Sequence, residues 1–133
     1  MARLFIDSGV LIAAARGEAP LREAAVRLLT NPRHVFLTSP FVYLETVPKA
    51  QFGRRELELA LYQLYFEHAQ SLDDLPRLLP LALHISAQEG VGPMDSLHVA
   101  AAILLEANVL VTIENKGKSI YRAKAMAVQH LLG

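Results

Sequence analysis

The sequence contains no cysteine, and its acidic and basic residues are equal in number, 13 of each. Without cysteine the chain has no disulfide, no thiolate zinc site and no cysteine nucleophile, and the redox compartment stays open. A formal net charge of zero excludes the global basic field of a general nucleic-acid binder, so any such contact needs a local patch. No apolar run approaches the roughly 20 residues of a membrane span.

The start of the chain also lacks the pattern of a secretory signal, because Asp7 interrupts the apolar run that begins at Leu4. We therefore expect a cytosolic protein. A length of 133 residues, 53% of them hydrophobic, predicts one domain over residues 1–133 with a well-buried core. The absence of a GxxxxGK[S/T] motif argues against a nucleoside triphosphatase.

Short apolar strands alternate with helical stretches, which predicts βαβ units in an α/β fold with a mostly parallel sheet of four or five strands. The strands are expected at residues 3–7, 34–38, 69–72, 109–113 and, as an edge strand, 126–131. The helices are expected at residues 9–16, 20–30, 54–67, 73–89 and 93–107, with a basic loop or short helix at 115–124. A further helix begins at Ser39-Pro40 and is expected to stop or kink near Pro48.

Four acidic residues lie where the apolar pattern leaves little room for a carboxylate, and they are Asp7, Glu45, Asp95 and Glu114. Asp7 and Glu114 follow apolar strands, and Asp95 lies in the first turn of an apolar helix. The carboxyl ends of parallel strands line one crevice, so we expect the acids to converge there. Hard divalent cations such as Mg²⁺ or Mn²⁺ compensate such charge, and two of them can activate water and stabilise the leaving oxygen of a phosphodiester.

Each acid also has a simpler interpretation when it is taken alone. Asp7 can cap the helix that follows it, and Asp95 can complement the dipole of its helix. Glu45 can lie at a solvent-exposed helix edge, and Glu114 can be an ordinary acid of a surface loop. Only the joint pattern of the four residues favours a site.

Three further polar residues lie beside these acids in the sequence. The hydroxyl groups of Ser8 and Thr112 can hold a water molecule in the site, or they can serve as cap and turn residues. His98 follows Asp95 by one helical turn. It is expected to be a hydrogen-bonded, partly buried histidine, and pairing with Asp95 or contact with substrate is the alternative.

The densest basic cluster directly follows Glu114 and consists of Lys116, Lys118, Arg122 and Lys124. It can position phosphate groups, or it can be an ordinary solvated face. Tyr121 within the cluster can stack on a base or anchor the loop. Arg54 and Arg55 are expected to face solvent.

Several segments resemble the motifs of PIN domains. Phe5-Ile6-Asp7-Ser8-Gly9-Val10-Leu11-Ile12 resembles the opening motif, and the segment from Pro93 to Ala102 resembles the helix of the third acid. Val111-Thr112-Ile113-Glu114 is similar to the closing strand and acid, and Glu45 lies where the second acid is expected. The order and spacing agree over essentially the whole chain. Gly9 stands where the family often has asparagine, and Glu114 where it usually has aspartate.

The resemblance implies a three-layer α/β/α sandwich and a Mg²⁺- or Mn²⁺-dependent ribonuclease, commonly the toxin of a VapBC-type toxin–antitoxin pair. It further implies a homodimer and a small antitoxin that inserts into the active-site groove. By position, Asp7, Glu45 and Asp95 would be the core metal ligands and Glu114 the fourth acid.

Two other functions compete with RNA hydrolysis. A catalytically weak PIN-like module that binds RNA or a protein remains the alternative, because the net charge is zero and Glu114 replaces an aspartate. An aspartate-nucleophile phosphatase needs a second acid two residues after the nucleophile, and Gly9 occupies that position.

Overall fold

A sheet of five parallel strands forms the centre of the protein, whose structure is a computed structural model describing residues 1–133. In chain order the strands are β1 (Arg3–Ile6), β2 (Val35–Thr38), β3 (Gln70–Ser71), β4 (Val109–Thr112) and β5 (Val128–His130). Their spatial order is β3-β2-β1-β4-β5. The predicted α/β fold is confirmed, and the sheet has no antiparallel strand.

Six α-helices surround the sheet: α1 (Ser8–Arg16), α2 (Leu21–Leu29), α3 (Pro40–Phe52), α4 (Glu56–His68), α5 (Leu75–Glu89) and α6 (Pro93–Leu104). A short 3₁₀ helix, Ser119–Arg122, lies between β4 and β5. The crossovers that contain α1 to α4 run in one direction along the sheet, and the crossover that contains α5 and α6 runs back. Since such crossovers are right-handed, the two groups of helices cover opposite faces. None of the helices is both long enough and apolar enough to span a membrane.

The helix α3 begins as the sequence predicts but ends later. The Ser39 hydroxyl accepts hydrogen bonds from the backbone N–H groups of Phe41 and Val42, and Pro40 occupies the first helical position. Of the two expected alternatives, a stop or a kink near Pro48, the stop was wrong, because the helix continues to Phe52 with Pro48 inside it. Pro48 has no N–H group to donate to the carbonyl of Leu44, four residues earlier. Both residues are exposed, so water can satisfy that carbonyl.

The carboxyl ends of the neighbouring strands β1 and β4 form the edge of the sheet on which the acids lie. Ile6 pairs with Val111 at the carboxyl ends of these strands, and Phe5 and Ile6 are fully buried. The connections from β1 lead toward β2 and β3, whereas β4 lies on the other side of β1. This reversal of strand order opens a crevice at the carboxyl ends of β1 and β4.

Gly9 has a packing reason for being glycine. A Cβ atom at this position would lie 2.8 Å from Cγ1 of Ile113, a residue that is only partly buried. The start of α1 therefore packs directly on the residue that precedes Glu114. A methyl group does not fit at this position unless Ile113 moves. Glycine here is therefore consistent with the close packing between α1 and the end of β4.

We expect Gly9→Ala to lower the free energy of unfolding by about 1 kcal/mol, because overpacking against Ile113 outweighs the better helix propensity of alanine. Urea denaturation measures the change. In an Ile113→Ala background the same substitution should be neutral or stabilising, since the obstructing side chain is absent. Equal destabilisation in both backgrounds would show that the contact with Ile113 is not the cause.

Candidate active site

Asp7 is the first residue after β1, and its carboxylate is fixed by two hydrogen bonds. Its N–H continues the sheet ladder by donating to the carbonyl oxygen of Val111 at 3.0 Å. Its Oδ1 accepts from the backbone N–H of Ser8 at 2.9 Å, and its Oδ2 accepts from the hydroxyl of Thr112 at 2.8 Å. Asp7 therefore caps α1 and also presents a buried carboxylate at the sheet edge.

Glu45 reaches the same crevice from α3. Its Oε1 accepts a hydrogen bond from the Ser8 hydroxyl at 3.0 Å and a second one from Nε2 of His98 at 2.6 Å. The side chain is 32% exposed, so it does not lie on a fully solvated helix edge. The hydroxyl groups of Ser8 and Thr112 thus each donate to an acid of the crevice.

His98 pairs with Glu45, whereas the sequence offered Asp95 as its possible partner. The imidazole is 1% exposed, and its Nε2 also lies 3.8 Å from Oδ1 of Asp7. Its Nδ1 is buried and has no hydrogen-bond partner. The ring of His98 reaches from α6 to Glu45 on α3, because the two helices pack against each other.

The pairing of His98 with Glu45 changes the pKa of both groups. The hydrogen bond from His98 lowers the pKa of Glu45, and this effect exceeds the opposing effect of burial. Burial lowers the pKa of His98, but the hydrogen bond to Glu45 and the charges of Asp7, Glu45 and Asp95 together raise it above its ordinary value. The pair therefore favours an imidazolium next to a carboxylate.

Asp95 is the acid whose charge is least compensated by the protein. Its side-chain oxygens accept no hydrogen bond, although the residue is partly buried. Burial, followed by the charge of Asp7, raises the pKa of Asp95 to about 6, and Glu114 and Glu45 contribute in the same direction. Asp7, Glu45 and Glu114 therefore all lie within electrostatic range of Asp95.

Glu114 lies at the end of β4 beside Thr112. Its backbone N–H donates to the hydroxyl oxygen of Thr112 at 3.1 Å, and its carbonyl oxygen accepts from the hydroxyl of Tyr121 at 2.7 Å. Tyr121 therefore anchors the loop, which is one of the two roles expected for it. The carboxylate of Glu114 is partly buried, and its own oxygens accept no hydrogen bond in the protein.

A tight group of donor atoms forms the centre of the crevice. One ligand atom from each of Asp7, Glu45 and His98 lies within 4.8 Å of the others. Asp95 and Glu114 are outside this group but add carboxylate oxygens that have no partner in the protein. The carboxylate oxygens of the crevice are the donors that hard divalent cations such as Mg²⁺ and Mn²⁺ prefer, and the Nε2 of His98 is already used by Glu45.

The side chains of the predicted basic cluster are exposed, and their contacts differ from one residue to the next. Lys116 lies with its Nζ 5.6 Å from the centre of the Tyr121 ring. Arg122 donates to the carbonyl oxygen of Gly90 at 3.2 Å, and Lys118 makes no side-chain contact of this kind. The cluster is therefore a solvated surface next to Glu114 in which only Arg122 is fixed by a hydrogen bond.

A second polar cluster, on α1 and α4, was not predicted from the sequence. Arg55 was expected to face solvent, but its Nε contacts Oε2 of Glu58 at 2.5 Å, and Arg16 approaches the same carboxylate. The spacing of Arg55 and Glu58, three residues apart at a helix start, is the signal that could have revealed the pair.

Several solved structures are similar to this architecture. VapBC2 from Rickettsia felis, solved bound to a DNA fragment from their promoter, is similar with a TM-score of 0.73 and 16% identity, covering 96% of this chain and 98% of that chain. VapBC-1 from nontypeable Haemophilus influenzae has a TM-score of 0.71 and 20% identity, covering 98% and 99%. A toxin–antitoxin complex from Klebsiella pneumoniae has a TM-score of 0.65 and 15% identity, covering 85% and 88%.

At these identities the solved structures show a shared fold. No curated protein sequence matches the chain significantly. The profile of the PIN domain family matches residues 4–123, which include the strand-end acids, Glu45 and the α6 segment. Because this match covers most of the sequence, the chain belongs to the PIN domain family.

Proposed function

We propose that the chain is a Mg²⁺- or Mn²⁺-dependent endoribonuclease and the toxin of a type II toxin–antitoxin pair. The observation that supports it most is the convergence of Asp7 and Glu45, whose ligand atoms lie within 4.8 Å of each other and of His98. Asp95 and Glu114 act on the same crevice electrostatically. The similarity to a toxin–antitoxin complex and to VapBC proteins supports the biological role.

Asp7, Glu45 and Asp95 would hold the cation, with Glu114 as the fourth acid. The bound ion would supply Lewis-acid activation of water and neutralise charge at the scissile phosphate. Ser8 and Thr112 hold Glu45 and Asp7 in place through their hydroxyl groups. Lys116, Lys118 and Arg122, which are exposed beside the crevice, would position the RNA backbone.

His98 compensates the charge of Glu45 in the protein without a cation. Its Nε2–H donates to Oε1 of Glu45, and this contact fixes the carboxylate against the Ser8 hydroxyl. A small antitoxin protein and a second copy of the chain are the proposed protein partners.

The substitution Asp7→Asn should reduce RNA cleavage in Mg²⁺ or Mn²⁺ by about a hundredfold or more, because it removes a charged ligand oxygen. Folding should persist, since the asparagine oxygen can still accept from Ser8 or Thr112. Gel analysis of a labelled single-stranded RNA measures the rate, and Glu67→Gln, an exposed acid on α4, is the control. Equal cleavage by wild type and Asp7→Asn would refute the nuclease proposal.

Thr112→Val should lower the cleavage rate by about ten- to a hundredfold, because Asp7 Oδ2 loses the hydrogen bond that orients it. Thr112→Ser keeps the hydroxyl and should retain most of the rate. Circular dichroism of both variants checks that the fold is intact. A wild-type rate for Thr112→Val would contradict the role given to this hydrogen bond.

The affinity for Mn²⁺ should fall as the pH is lowered. The pKa of Asp95 is raised to about 6, so below that pH this carboxyl is protonated and cannot serve as an anionic ligand. Between about pH 7 and pH 5 we expect a loss of roughly tenfold or more, measured by isothermal titration calorimetry.

Asp95→Asn is the matched control for this measurement. It should bind Mn²⁺ more weakly at all pH values and show a smaller pH dependence, because the titrating carboxyl is absent. An unchanged affinity of the wild-type protein across this range would contradict the assignment of Asp95 to the ion.

A further inference from the structure

A polar cavity of about 190 Å³ has Glu45 in its wall and is otherwise lined by residues of α1, α3 and α4. Three cations line it: Arg16 at the end of α1, Lys49 one turn after Glu45 on α3, and Arg55 just before α4. A single additional carboxylate, Glu58, lies among them. The cavity thus shares one wall with the proposed metal site and has a different electrostatic character.

The buried carboxylate of Glu58 lies within ion-pair distance of the guanidinium groups of Arg16 and Arg55. The side chain of Glu58 is 7% exposed, and its oxygens contact Nε of Arg55 at 2.5 Å and Nε of Arg16 at 3.8 Å. Both contacts use only the inner nitrogen. The terminal nitrogens of Arg16 have no hydrogen-bond partner, and its side chain is 56% exposed. The Arg16 guanidinium therefore lies within ion-pair distance of Glu58, and its terminal nitrogens have no partner in the protein.

The charge of the cavity favours an anion. Lys49 is exposed, and its ammonium makes no hydrogen bond or ion pair in the protein, although its charge lowers the pKa of Glu45. Because Glu45 is paired with His98, the three basic side chains of the cavity outnumber Glu58, the one remaining carboxylate, without any bound cation. This local excess stands out in a chain whose formal net charge is zero.

We propose that this cavity binds a phosphate group of the RNA backbone adjacent to the cleaved one, with Arg16 and Lys49 as contacting residues and Arg55 and Glu58 as positioning residues. A guanidinium with free terminal nitrogens matches the geometry of a phosphate, and an ammonium adds a point charge. This assignment rests on the proposed nuclease function. RNA is favoured over an acidic protein segment because Glu45 belongs to both sites. An RNA strand bound at the acids would therefore have its next phosphate beside the cavity.

The test is the salt dependence of RNA binding in EDTA, where metal-dependent cleavage cannot occur. A fluorescein-labelled single-stranded RNA is titrated with wild type, with Lys49→Gln and with Arg16→Gln/Lys49→Gln, and anisotropy gives Kd at several salt concentrations. We expect the double variant to bind roughly five- to tenfold more weakly at low salt. Its slope of log affinity against log salt should decrease by about 0.7 for each phosphate that the protein no longer neutralises.

The control is Arg27→Gln/Arg33→Gln, which also removes two exposed cations, near the amino end of β2 and away from the acids. It should keep the wild-type slope. Lys49→Gln disturbs no ion pair, so a loss of affinity and slope in this single variant cannot be caused by misfolding around Glu58. Equal losses in the control and the double variant would overturn the proposal, because they would reflect total charge alone.

Two further outcomes separate this inference from the nuclease proposal. If wild type cleaves RNA in Mn²⁺ while the double variant binds RNA with the wild-type affinity and slope, the cavity assignment is overturned and the nuclease stands. The cavity assignment is equally overturned if the double variant keeps its RNA binding and loses only a co-expressed acidic protein partner. If RNA binding responds as expected but wild type does not cleave, the nuclease proposal fails. The cavity is then an RNA-phosphate site, and its position next to a cleaved phosphate falls with the nuclease.

Discussion

Repulsion among carboxylates at the carboxyl ends of β1 and β4 is the constraint on which the rest of this structure depends. Hydrogen bonds from Ser8, Thr112 and His98 stabilise Asp7 and Glu45, but the protein provides no donor for the oxygens of Asp95. The raised pKa of Asp95 is the consequence of this incomplete compensation. In the proposed nuclease, a divalent cation would supply the compensating charge that the internal donors do not.

Much of the fold could be predicted from the sequence because its signals are local. The apolar runs that end at Asp7 and Glu114 define β1 and β4, and Ser39-Pro40 defines the start of α3. The end of α3 could not be predicted in the same way. Whether Pro48 ends a helix depends on whether the carbonyl it leaves unpaired can reach water, and that exposure is decided by the packing of α3 on the rest of the molecule.

The acids themselves could be named from the sequence because each one interrupts an apolar pattern. Their partners could not, because those contacts join residues far apart in the chain. His98 and Glu45 are 53 positions apart, and Arg16 meets Glu58 only through the packing of α1 against α4. Local spacing placed His98 beside Asp95, and only the relative placement of α3 and α6 shows that its ring turns to Glu45 instead.

The two outer strands have a consequence for how this protein can assemble. β3 has only two residues, both exposed, and β5 has three, so each outer edge of the sheet offers few free backbone groups. Short edge strands are a poor template for pairing with a strand of another molecule. Association with other chains must then rely on side chains of the surrounding helices and loops, and the sheet is protected from edge-to-edge aggregation.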